Sequence, residues 1–114
     1  MKLIVAMVRP FKVAEIVDAV EADGTFPGMT VLDCRGFGRE KSAPHVHGPG
    51  EDVTDFVQRR ALLVAVPDGA ATAVAERLAR TARTGQPGDG KVFTVPLEAA
   101  IRIATGEAGE EALR

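Results

Sequence analysis

The chain has 114 residues, 46% hydrophobic and 26% charged, with a formal net charge of −2. That length suits one domain with one modest core, and the charge gives no electrostatic reason to expect nucleic acid or an anionic membrane as partner. The single cysteine, Cys34, allows neither an internal disulfide nor a cysteine metal cluster; it reads as a half-buried strand residue in a reducing cytoplasm.

In chain order, KLIVAMVR (2–9) is a run of apolar and β-branched residues that predicts a strand, closed by Pro10. It is too short to span a bilayer, and no signal-peptide pattern follows it. From Pro10 the spacing turns helical: Val13, Ile16, Val17 and Val20 share one face, while Glu15, Asp18 and Glu21 face out. Gly24, Pro27 and Gly28 end that helix. MTVLDCRG (29–36) predicts a second strand, and RRALLVAVP (59–67) a third. DGAATAVAERLARTART (68–84) predicts a second helix with Asp68 as N-cap and Gly85 as its stop. KVFTVPLE (91–98) predicts a fourth strand, EAAIRIATGE (98–107) a short tail element, and the last glutamates a solvated, frayed end.

The order is β-α-β, long loop, β-α-β. It predicts an α+β fold, a ferredoxin-like βαββαβ sandwich in a single domain over 1–114. In the first strand Leu3, Val5 and Met7 point one way and Ile4, Ala6 and Val8 the other, so both sets are apolar; Ala61 to Val66 repeat the pattern. Two helices cover only one face of such a sheet, so the second apolar face predicts a homo-oligomer.

Between the second and third strands lies GFGREKSAPHVHGPGEDVTDF (36–56), rich in glycine, proline and charge. A loop of that length inside a compact domain is either functional or unstructured. His45 and His47, near Glu51 and Asp52, form the one histidine pair with metal-ligand character, and they support an alternative reading as a metal- or small-anion-responsive binding trimer. TGQPGDGK (84–91) joins a helix end to a strand start. Read alone, it is either a turn or an anion-binding nest with Lys91 as a point charge; it lacks the strand-before, helix-after context of a Walker A loop. Ser42 is the only serine, and nothing suggests a catalytic triad.

Taken together, RPFK (9–12), GMTV (28–31), GFGR (36–39), TGQPGDGKVF (84–93) and IRIATGE (101–107) resemble the nitrogen regulatory PII signal-transduction family, nearly end to end. The resemblance implies a cytoplasmic homotrimer of ferredoxin-like subunits that is not an enzyme. It implies ATP or ADP, with AMP as a further candidate, in clefts between subunits, and leaves Mg open. The long loop, about 37–58, corresponds to the T-loop, which engages a target protein such as a membrane transporter or metabolic enzyme, with no nucleic acid and no membrane insertion. Residues of about 83–91 correspond to the phosphate-holding B-loop, and about 101–114 to the C-terminal segment. Residue by residue, the resemblance assigns nucleotide contact to Met7, Thr30, Gly36, Phe37, Gly38, Arg39, Gly88, Asp89, Gly90, Lys91 and Arg102.

The chain departs from the family pattern at several positions. Ala104 stands where a second phosphate-contacting arginine is expected, which implies weaker triphosphate binding. Glu40 replaces a glutamine associated with Mg and 2-oxoglutarate, Leu63 a carboxylate residue, and Arg59 a lysine associated with 2-oxoglutarate. Asp52 occupies the position of the uridylylated tyrosine, so that modification is excluded.

Overall fold

The two unbroken apolar runs become the central strands of a sheet. The computed structural model describes residues 1–24, 26–38 and 56–114. Strands β1 (Lys2–Val8), β2 (Thr30–Gly36), β3 (Val57–Val66) and β4 (Lys91–Pro96) form one antiparallel sheet in the order β2-β3-β1-β4. Helices α1 (Val13–Glu21) and α2 (Asp68–Ala82) complete two β-α-β halves, the ferredoxin-like arrangement expected from the element order.

Both helices lie on one face of the sheet. Ile16 and Val20 of α1 and Ala71, Leu78 and Ala82 of α2 pack on Ile4, Ala6, Val8, Leu62, Val64 and Val66. Leu78, Ile16 and Leu62 are fully buried, each contributing about 2 kcal/mol of transfer free energy. On the other face Leu3, Val5, Met7, Leu63 and Ala65 are only half-buried. Leu32 and Phe93 are 48% and 47% exposed there, so within one chain this face is an open apolar surface.

Several local expectations change. Asp68 is the first helical residue and not the N-cap; Pro67 takes that place with extended backbone and no capping side chain. The Asp68 carboxylate instead meets the Met1 amino group at 3.0 Å, and that contact holds it below its ordinary pKa. Helix α2 stops at Ala82, before Gly85, because Arg83 is extended and the next amides bond elsewhere. The turn before α1, Pro10–Lys12, is 3-10, with the Lys12 amide donating to the Arg9 carbonyl at 3.0 Å. Strand β3 begins at Val57 and so takes in Val57 and Gln58, which the sequence leaves in the loop; they pair with Gly36 and Arg35. The final glutamates are not frayed: Gly109–Leu113 is a 3-10 turn packed against β3.

Candidate functional site

The connection from α2 to β4 is built around one carboxylate. Asp89 Oδ2 accepts from the amides of Thr84 (2.7 Å) and Gly85 (2.9 Å), and Oδ1 accepts from Arg9 Nε at 3.0 Å and from the Thr84 hydroxyl. The Thr84 hydroxyl, foremost, together with Arg9 and the two amides holds the Asp89 carboxyl well below the usual carboxylate range, outweighing the opposing effect of burial. Asp89 therefore stays ionised and folds the loop around itself.

Two arginines fix the other side of the same loop. Arg9 Nη2 donates to the Pro87 carbonyl at 2.8 Å, and Arg59 Nη2 donates to the Gly88 carbonyl at 2.9 Å. Burial, and then the neighbouring Arg9 guanidinium, lower the Arg59 pKa. Two successive carbonyls are thus drawn toward the protein, which removes two acceptors from the loop's outer surface and favours an anion there.

Gly90 closes the loop onto the sheet. Its φ is +111°, and a Cβ built there would lie 1.7 Å from the Met7 carbonyl oxygen, so no other residue fits this approach. The next residue, Lys91, pairs with Met7 in the β1–β4 ladder. Beside the loop is an open cleft of about 350 Å³ whose lining includes Met7, Arg83, Asp89, Gly90, Lys91 and Val92.

The base of the β2–β3 ribbon meets this loop through Arg59. A Cβ at Gly36 would sit 3.7 Å from Arg59 Cγ, so the arginine stem runs along Gly36 before its head reaches Gly88. Just beyond, the rings of Phe37 and Phe56 pack with centroids 5.9 Å apart, and the Arg35 guanidinium lies 5.8 Å from the Phe56 centroid.

Of the residues singled out in the sequence, Met7, Gly88, Asp89, Gly90 and Lys91 come together, and Gly36 joins them through Arg59. Phe37 and Gly38 continue from the ribbon base. Thr30 pairs with Leu63, two strands away from β1. Arg102 belongs to a tail turn, where its amide donates to the Glu107 carbonyl and its own carbonyl accepts from Gly106, each at 2.8 Å. Among the described residues, neither Thr30 nor Arg102 bonds to the glycine loop of its own chain. Arg39, His45 and His47 lie outside the described residues. The roles of Arg9, Thr84 and Arg59 in shaping the loop are not evident from spacing alone. The one signal in the sequence is the Thr-Gly…Gly-Asp-Gly run, in which Thr84 precedes Asp89 by one turn of chain.

Residues 1–107 match the sequence model of the family described as nitrogen regulatory protein P-II. The chain belongs to the P-II family. It is 41% identical over 113 residues to the nitrogen regulatory protein P-II of Haemophilus influenzae, with 99% of this chain and 100% of the relative covered. The P-II proteins of Synechocystis sp. and Nostoc punctiforme are 39% and 40% identical over the same shares. The glycine loop, the Met7–Lys91 pairing and the ribbon base all fall inside the span matched to the P-II family. Among the described residues no helix of this P-II protein is long and apolar enough to cross a membrane.

Proposed function

We propose that this P-II protein is a cytoplasmic homotrimer that binds an adenine nucleotide, ATP or ADP, at clefts between subunits. Occupancy of the glycine loop then biases the β2–β3 loop, which engages a target protein, either a membrane transporter or a metabolic enzyme. It works as a regulator without net catalysis, in keeping with the regulatory names of its relatives.

The observation that carries this reading is the construction of the 84–90 loop. Its carboxylate is taken up by the loop's own hydrogen bonds, two carbonyls are turned toward arginines, and Lys91 stands at its exit. Such a loop suits a polyphosphate better than a cation or an uncharged ligand. Met7 beside it supplies apolar surface of the kind a base rests on. The open outer face of the sheet supports the trimer, since association would bury Leu32, Val5, Leu63 and Phe93 together. In that assembly Thr30 and Arg102 would reach the site from a neighbouring subunit. With Ala104 leaving a single arginine in that stretch of the tail, ADP should compete well against ATP. Isothermal titration with ATP, ADP and AMP, with and without Mg, tests the reading; saturable binding that Lys91→Ala weakens at least about tenfold is expected.

A further inference from the structure

The geometry points to Arg59 as a positioning residue that couples the glycine loop to the base of the β2–β3 ribbon. This rests on the nucleotide reading only for its ligand; the link itself is present in the chain alone.

One guanidinium spans two carbonyls from distant segments. Arg59 Nη1 donates to the Gln58 carbonyl at 3.0 Å, within the ribbon, and Nη2 donates to the Gly88 carbonyl at 2.9 Å, in the glycine loop. Between these ends the side-chain stem lies against Gly36, whose Cα partner in the ladder is Val57. The absence of a Cβ at Gly36 leaves the stem ordinary van der Waals room there. A planar fork with several fixed N–H directions can hold both carbonyls at once, whereas a lysine ammonium is a compact point donor without that geometry.

The same guanidinium sits where ligand charge would be felt. It is partly buried beside the Arg9 guanidinium, which lies on Asp89 and Pro87 of the same loop. An anion drawn to the loop would stabilise this pair of like charges and favour whichever loop position keeps them close. A shift at Gly88 would then be passed to Gln58 and Gly36 by the fork. A ligand moves such an equilibrium only by its differential affinity for the engaged and released arrangements, so the coupling must disappear when the fork is removed.

Hydrogen–deuterium exchange on the full chain tests this with wild type, Arg59→Lys and Arg59→Met. In ligand-free protein, exchange across residues 84–90 should be about tenfold faster in both variants, as loss of one charge-assisted hydrogen bond implies, with the central strands unchanged. At saturating ADP, wild type should change its exchange at residues 35–37 and 57–58, and Arg59→Met at equal occupancy should not. Unchanged ligand-free exchange across 84–90 in both variants, or a full ribbon response in Arg59→Met, would overturn the coupling. Complete rescue by Arg59→Lys would show that charge and not the fork matters, and would overturn the bridging role. If ADP fails to bind wild type, the nucleotide reading falls, and the ligand-free comparison alone decides the role of Arg59.

Discussion

Asp89 Oδ1 accepts a hydrogen bond from Arg9 Nε at 3.0 Å, across 80 residues of chain. This pairing ties the glycine loop to the end of β1, and with the Thr84 contacts it makes Asp89 the hub of the loop's shape. Replacing Asp89 by Ala leaves the amides of Thr84 and Gly85 and the Nε of Arg9 without their acceptor, while Arg9 Nη2 keeps the Pro87 carbonyl. Nucleotide affinity should fall about tenfold or more, measured by titration, while the sheet stays folded by circular dichroism. Asp89→Asn keeps one acceptor oxygen, and its affinity should lie between those of wild type and Asp89→Ala.

The pH dependence follows from the lowered Asp89 pKa. An unfolded aspartate titrates near about 3.9, and the folded carboxyl titrates below that value. Ionised Asp89 therefore contributes stability in full above the unfolded pKa, and the contribution disappears as pH falls through the folded pKa. Denaturant melts of wild type and Asp89→Asn should differ by a constant amount from about pH 5 to 7. That difference should shrink on acidification below about pH 4.

Gly90 offers a sharper structural test. A Cβ there meets the Met7 carbonyl oxygen at 1.7 Å, and both partners are backbone, so neither can rotate away. Gly90→Ala should destabilise the domain by about 3 kcal/mol and disturb the start of β4. Gly69, in the first turn of α2, has no positive φ, and a Cβ added to it would meet nothing within 4 Å. Gly69→Ala should be neutral or stabilise by up to about 1 kcal/mol, and chemical denaturation of both variants makes the comparison.

The open sheet face separates folding from assembly. Leu78 is fully buried between α2 and the sheet, so Leu78→Ala should cost about 3 kcal/mol wherever the subunit is measured. Phe93, on the opposite face beside Val5, is 47% exposed in the single chain. Phe93→Asp should leave secondary structure intact and convert the proposed trimer to smaller species, seen by light scattering coupled to size exclusion. Retention of a trimer in Phe93→Asp would mean that subunits associate through another surface.

The fold was legible because hydrophobic periodicity is local. Ile16 and Val20 recur at helical spacing, and the doubly apolar runs of β1 and β3 mark central strands with an uncovered face. The site was legible only in part. The glycines of 84–90 and Lys91 stand out as a motif, but the reach of Arg9 to Asp89 and Pro87, and of Arg59 to Gly88, depends on tertiary placement. Side-chain bonds over 80 and 29 residues leave no spacing signal. Asp68 shows the same limit at a helix end: the residue type suits a cap, yet its carboxylate is taken by the Met1 amino group.

Whether the glycine loop holds an adenine nucleotide is decided by calorimetric titration of the assembled protein with ADP and ATP. One nucleotide should bind per chain, with affinity lowered by Lys91→Ala and by Asp89→Ala and with ADP competing well against ATP. Absence of binding for ATP, ADP and AMP alike, with the oligomer intact, would remove the nucleotide from this site.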